Sequence, residues 1–504
     1  LVTALYPELP GNASETQFDL PGGGRKLLAF SDSRQQAAFF APYLESSYGK
    51  LAHRRVLYSA LSEGSATGFT PTAMDVSNAA SRLASSAHFF KFTDSAVERQ
   101  RQANTWVQLE LTSTDRRISL EGVGIAQWRL REYGPLPALV PLANLGFSSE
   151  DSRAIVQILL DSIRRQGAVA PLPNVNLSGQ EFEPRTGTIS FRSHGSTTKR
   201  KVLSWIPTQG ANTRSDYLTR LFSKIGQSPD VDMFLSGILS ALTSAGSPTA
   251  HWFKVTTEKG AASQGKLLQL DPEAFELQIA DKDRAMWRCN RCRSISFENV
   301  RDVCSTYRCT GELKPWSLPD PSVDDDHYRT IYRQPDPIPL TAKEHTAQWS
   351  TEKAAIVQQE FVQGKINVLS CSTTFELGVD VGELQSVVLR NVPPTVSNYV
   401  QRAGRAGRRA DSAALVLTYA QRRSHDLTAF SRPETLIAGN VRTPIIPIEN
   451  DRIAARHIQS IALALFLREE IESKREYRTV GSFFGPDDSG EIAAGQNVWQ
   501  SLGG

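Results

Sequence analysis

Long apolar runs are missing from this 504-residue chain: no stretch could cross a bilayer as a helix, and its start carries no secretory signal pattern. The expectation is a cytoplasmic protein without a membrane partner. Charge of one sign is missing too. With 56 basic and 53 acidic side chains the net is only +3, so nucleic-acid affinity has to come from local patches. A complete phosphate-binding loop is also absent. The run Gly260 to Leu267 comes near one, but leucine at 267 offers no hydroxyl to magnesium and no buried strand leads into it; it reads as the turn of a two-stranded wing. Asp324-Asp325-Asp326-His327 imitates a magnesium-binding strand end, yet Pro319 and Pro321 before it rule out a central strand and make it a linker. The first residue is Leu1 and not methionine, which we read as the mark of a fragment.

Cysteine is scarce, five in all, and the scarcity makes the placement of four informative. Cys289 and Cys292 form a CxxC pair, and Cys304 and Cys309 form a second close pair. Short spacings let each turn present two sulfurs, which suits tetrahedral thiolate ligation of Zn2+. Disulfides are the alternative, but nothing in the sequence points to secretion. Four thiolates leave no open coordination position, so the expected zinc is structural. Around it lie Arg284, Arg288, Arg291, Arg293, Arg301 and Arg308, either a nucleic-acid contact or a solvated surface. Cys371, alone in an apolar run, reads as a small buried hydrophobe.

The remaining signal is basic. Gln401-Arg402-Ala403-Gly404-Arg405-Ala406-Gly407-Arg408-Arg409 holds four arginines and two glycines in nine residues. If helical, Arg402, Arg405 and Arg408 form a ridge that presents several guanidinium forks to one polyphosphate. Taken alone, such a run is more often a solvated face. Upstream, Lys365 to Cys371 reads as a buried strand, Ser372 to Gly382 as a hydroxyl-rich turn with a short helix, and Ser386 to Arg390 as a second strand before a Pro393-Pro394 turn. Near the start, Lys26 to Phe30 reads as a strand ending in Ser31-Asp32-Ser33-Arg34, a polar turn that caps a helix.

In this order the segments resemble motifs IV, V and VI of superfamily-2 helicases, with Glu344-His345-Thr346-Ala347-Gln348 similar to the motif that precedes motif V. The chain looks like the second RecA-like lobe of a large DEAD/DEAH-type helicase. The resemblance covers about residues 22–50 and 328–430, so what lies between is an insertion. It implies an α/β fold: a RecA-like parallel-sheet lobe interrupted by a large α+β insertion that carries a winged-helix-like module and the zinc knuckle. It also implies ATP with Mg2+, held between this lobe and a missing N-terminal RecA-like lobe supplied in cis or in trans. By position, Arg405 and Arg408 would be arginine fingers, with Gln401 beside the phosphates. Asp380, Gly378 and Arg402 would contact the nucleotide. Ser33, Arg34, Ser372 and Thr374 would touch the nucleic-acid backbone, Ser372 keeping a hydroxyl where the family often has threonine. Backbone contacts suit a translocase more than a sequence reader.

The expected boundaries are 22–60 and 328–430 for the lobe, 61–213 for a mostly helical insertion, 214–280 for the winged module, 281–327 for the zinc module and 431–504 for a helical extension and tail. In that extension Ile458, Ile461, Ala462 and Leu465 share a helical face and are expected to pack on the lobe. The leading function is an ATP-dependent helicase or translocase, DNA favoured over RNA, in bacterial genome maintenance or defence against foreign DNA. The alternative is a non-enzymatic, zinc-bearing nucleic-acid-binding or scaffold subunit that lends arginines to an ATPase on another chain.

Overall fold

The computed structural model describes residues 2–11, 20–65, 70–132, 136, 140–194, 201–256, 266–280, 284–334, 336–346, 349–373, 381, 382, 384, 386–407, 414–441 and 449–472. The architecture is α/β. Five strands form a parallel sheet in the order Ala342–His345, Val368–Cys371, Leu27–Phe30, Ser386–Leu389, Leu415–Thr418. Leu27–Phe30 is central although first in sequence, so the chain leaves the sheet from its middle and returns at an edge. The three inner strands are buried at every residue, which accounts for their largely apolar character, with Ser370 and Ser386 as the polar exceptions.

Each sheet face has its own core. Leu27, Ala29, Val368 and Val388 meet Phe40, Ala41, Leu44 and Tyr48 on one side. Leu28, Phe30, Leu369 and Leu389 meet Phe361, Val357 and Val381 on the other. Tyr6, from the helix Val2–Glu8, seals the first core: its hydroxyl donates to the Pro339 carbonyl at 2.8 Å and its ring meets Tyr48 edge-on. Gly22 closes under that hydroxyl with φ at +60°, and a Cβ there would lie 2.1 Å from it. Only glycine fits.

The helix Arg34–Ser65 joins two parts of the molecule. Its first half packs on the sheet through Phe40, Ala41, Leu44 and Tyr48. Its second half enters a larger core through Val56, Leu57, Ala60 and Leu61, among residues from helices Ala73–Ser86, Ala96–Leu111, Ser149–Arg164, Thr213–Lys224 and Val231–Thr243. Asn212 caps Thr213–Lys224, and its side chain accepts from the amides of Arg214 and Ser215.

The hairpin Phe253–Thr256 and Leu267–Leu270 is present as expected of a wing. It does not stand apart from the residues before 214: Leu268 pairs with Phe191, and the sheet runs on through Ser190–His194 to Val202–Ile206. Phe275–Ile279 pairs instead with Ala126–Leu130. The hydrogen bonding thus crosses the boundary expected at 213/214, because partners as far apart in sequence as Phe191 and Leu268 give no local pairing signal. The boundary at 327/328 shifts likewise. Helix His327–Arg333 puts Ile331 and Tyr332 into the insertion core, and the chain rejoins the sheet core at Ile338. Asp324 and Asp326 are consumed structurally: Asp324 takes both forks of Arg329 at 2.6 Å and Asp326 caps the helix, as a linker should.

Residues 438–504 form a separate unit, described through 472 by the helix Asp451–Glu472. Ile458, Ile461 and Leu465 are exposed on that helix.

Candidate nucleotide and nucleic-acid site

A parallel sheet gathers whatever follows its strands along one edge, and ligands of open α/β sheets bind in the crevice outside those carboxyl ends. Here that edge carries Ser31 to Arg34 after the central strand, Ser372 after Val368–Cys371, and Arg390 and Asn391 after Ser386–Leu389. These segments interlock. Asp32 donates its amide to Asn391 Oδ1 at 3.2 Å and accepts from the Asn391 side-chain amide. Arg390 donates to Ser31 Oγ at 2.9 Å and to the Gln36 carbonyl at 3.0 Å, with its guanidinium 4.0 Å from the Phe40 ring centre. Buried Asp426 accepts from the amides of Val392 and Gln421.

The arginine run does not form the expected ridge. Its helix, Val396–Ala403, begins at the Thr395 cap and ends at Gly404. Gly407 follows with φ at +74°, and its amide donates to the Leu384 carbonyl at 2.9 Å, so the backbone has turned before residue 408. Arg402, expected at the nucleotide, is 0% exposed; it forms an ion pair with Asp32 Oδ1 at 2.6 Å and sits over Phe30. The physical reason is position: on a helix of eight residues laid against the sheet, Arg402 occupies the inward side, and Asp32 supplies the countercharge that makes burial tolerable. Arg405 is also buried, at 8% exposure, close enough to oppose the strong rise that burial imposes on the Cys371 thiol. Cys371 is thus the inert small residue expected. Gln401 is half-buried.

Among the backbone-contact residues, Ser33 and Arg34 lie at the open start of the long helix, Ser33 Oγ accepting from the Gln36 amide at 3.4 Å and Arg34 exposed. Ser372, directly after the end of the inner strand at Cys371, is wholly buried, and Thr373 is the next exposed residue. Thr374, Gly378, Asp380 and Arg408 lie outside the described residues. The residues missed by sequence reading, Asp32, Arg390, Asn391 and Asp426, form bonds across as many as 359 positions, a separation that no local pattern records.

The four cysteines do meet. Their sulfurs lie within 4.8 Å of one another, with Cys289 and Cys309 at 3.7 Å and Cys292 and Cys304 at 3.6 Å. A tetrahedron with Zn–S bonds of about 2.3 Å has edges of about 3.8 Å. A disulfide would bring two sulfurs to about 2.05 Å. The donor set and its spacing therefore fit zinc. Burial raises the Cys292 thiol, but hydrogen bonds from Ser294 and Thr306 outweigh it and bring the group to about 6. Burial pushes Cys304 up to about 12 and Cys309 upward as well. A three-stranded sheet, Leu313–Trp316, Met286–Cys289, Ile295–Ser296, holds the first knuckle. Arg220 clasps the second, donating to the carbonyls of Cys304 at 2.7 Å and Thr306 at 3.1 Å while paired with Asp216.

Comparison with known proteins agrees with the edge geometry. The family described as helicase conserved C-terminal domain matches residues 329–410. Druantia protein DruE of Escherichia coli is 44% identical over 198 residues, 36% of this chain and 10% of that protein. The Lhr helicase/probable uracil glycosylase of Mycolicibacterium smegmatis is 25% identical over 124 residues, 25% of this chain and 8% of that protein. The crystal structure of DUF1998 helicase MrfA bound to DNA and AMPPNP aligns over 23% of this chain and 16% of that one, at 26% identity and a TM-score of 0.22. The matches thus span about a tenth of the two relatives' length.

Proposed function

We propose that this chain, whose residues 329–410 match the helicase conserved C-terminal domain, is the C-terminal part of an ATP-dependent DNA helicase or translocase. The observation that supports it is the single sheet edge on which the Ser31 to Arg34 turn, the segment after Cys371 and the turn holding Arg405 come together. Phosphoryl transfer needs positioning and charge stabilisation, with little covalent work for the protein. This lobe supplies the second half of such a site: Arg405 and Arg408 for the developing charge on the γ-phosphate, Gln401 beside it, and Gly378 and Asp380 toward the nucleotide. ATP and Mg2+ are held with a second RecA-like lobe in cis or in trans.

The pair of buried Arg402 and solvent-facing Asp32 has a different task. It ties the arginine helix to the turn that carries Ser33 and Arg34, so movement at the nucleotide edge and movement at the strand-gripping turn are one movement. Closing the lobes on ATP and opening them after hydrolysis then shifts the grip along a strand. Zn2+ held by Cys289, Cys292, Cys304 and Cys309 keeps the insertion's outer module folded. Genome maintenance or defence against foreign DNA is the setting we favour.

The test is steady-state phosphate release with and without single-stranded DNA. The chain alone should release none, and a protein that joins it to an N-terminal lobe should respond to DNA. DNA-stimulated turnover that is indifferent to Arg405→Ala and Arg408→Ala would return the arginine run to a basic surface segment with no part in the chemistry.

A further inference from the structure

Between the four-cysteine module and the helical part of the insertion lies a cleft of about 480 Å³, within the size range of small-ligand sites. Three of its carboxylates are engaged by side chains: Glu121 by Arg164 at 2.7 Å and Arg165 at 3.0 Å, Asp161 by Arg164 at 2.8 Å, and Glu298 by the Gln127 amide at 3.0 Å. The fourth, exposed Asp115, accepts from the Arg117 amide at 2.9 Å. At the mouth stand Tyr307, Arg116 and, beside them, Arg308. Arg116 reaches across to Thr306 Oγ1 at 3.0 Å. Tyr307 is 39% exposed, yet its ring is fixed, because the hydroxyl donates to the Ala211 carbonyl at 3.0 Å. The Arg308 guanidinium lies 5.1 Å from that ring's centre.

We propose that this cleft is a nucleotide subsite for single-stranded nucleic acid, with Tyr307 as the stacking platform and Arg116 and Arg308 as the cations that receive the backbone. Aromatic platforms flanked by arginine are how strands are held without regard to sequence, since every base offers a π-face. Three further observations point the same way. The segment 284–316 carries six arginines and a lysine against three acidic residues, while the whole chain nets only +3; the positive potential is concentrated here. Arg293 and Arg308 hold φ at 63° and 55°, a conformation glycine adopts freely and arginine does not, so the side chains are retained against the backbone's preference. Finally, the arginines do not serve the dianionic charge of a four-thiolate zinc site: Arg116 bonds Thr306, Arg291 bonds Thr310 and Arg308 covers Tyr307.

Thr306 and Ser294 line the same cleft and touch the Cys292 sulfur, so the subsite is built on the metal module and should require it intact. This inference rests on the reading that the chain handles nucleic acid. The experiment is fluorescence anisotropy of labelled oligo-dT, oligo-rU and a duplex with the chain as it stands, as a function of salt, with zinc content measured for every variant. Arg116→Ala with Arg308→Ala should weaken single-strand binding on the order of tenfold and flatten the log–log salt dependence by about 1.4, two contacts at about 0.7 each. Tyr307→Ala should cost tenfold or more, whereas Tyr307→Phe and Tyr307→Trp, which keep the ring, should bind like the parent. Zinc-loaded variants with the parent's affinity and salt slope would overturn the subsite while leaving the lobe's function standing. A parent chain that binds no single strand would sink both.

Discussion

The molecule has two arginine-rich segments, and it uses them in opposite ways. In 401–407 the described arginines are folded inward: buried Arg402 pairs with Asp32 at the sheet edge, and Arg405 lies beside Cys371. Around the cysteines, Arg288, Arg291, Arg293 and Arg308 stay exposed at the surface of a module too small to bury them. Arginine density is therefore a poor guide to exposure. What decides is the scaffold: a short helix against a broad apolar sheet has an inward side even for a cation, provided one carboxylate waits there, whereas a knuckle organised by four sulfurs has almost no interior to offer.

The sharpest way to separate the two regions is to remove the metal from one. Structural zinc contributes on the order of 10 kcal/mol to the folding of small modules near neutral pH. Cys292→Ser should therefore lose the one zinc per chain and unfold the region 286–316, while the parallel sheet keeps its amide protection; elemental analysis with hydrogen exchange reads both. Protein purified without metal loss that holds well under one zinc would break this half of the comparison.

Next in size is the work of the lobe. In a protein containing both lobes, Arg405→Ala and Arg408→Ala should each lower ATP turnover at least about a hundredfold, a floor below the roughly 10³ to 10⁵ associated with arginine fingers. Affinity for the strand should change little. Lysine at 408 should rescue poorly, since an ammonium lacks the planar fork, and Arg409→Ala should be much milder.

Smaller still is the pair of Arg402 and Asp32. Asp32→Ala leaves Arg402 uncompensated in the core and should cost roughly 3 kcal/mol in urea unfolding of the lobe, while Arg402→Met, which removes charge and keeps volume, should cost less. The reverse order would mean that the aspartate and not the arginine is the group the core must satisfy.

The slightest effect concerns acid. Burial alone would raise Asp324, but hydrogen bonds from Arg329 and from the Asp326 amide hold its carboxyl below the ordinary range. A depressed folded value contributes stability that is complete above the unfolded pKa of about 3.9 and disappears as pH falls through the folded value. Amide exchange in helix His327–Arg333 should accordingly accelerate only below about pH 4, and Asp324→Asn should remove that dependence.

The parts legible beforehand were those written in local pattern. The inner strands announced themselves as largely apolar runs, and the Ser31 to Arg34 turn showed its cap. Cysteine spacing foretold a cluster that the structure brings within ligating reach. What could not be read was whatever depends on partners far along the chain. Asp32 lies 370 positions from Arg402, and Phe191 meets Leu268 in a sheet where sequence suggested only a hairpin. Ser372 shows the limit in miniature: a hydroxyl that marks a turn lies wholly buried just past the strand's end at Cys371, and no local pattern tells a buried hydroxyl from an exposed one.

One consequence of the helix Arg34–Ser65 is mechanical. At about 1.5 Å per residue its 32 residues form a rod of about 48 Å, clamped at one end by the sheet and at the other by the insertion. Tilting such a lever by about 5° at Arg34 displaces the far end by about 4 Å, more than a hydrogen bond can stretch. Pro42, which lacks an amide proton and interrupts the helical ladder, marks the point along the shaft where flexure concentrates.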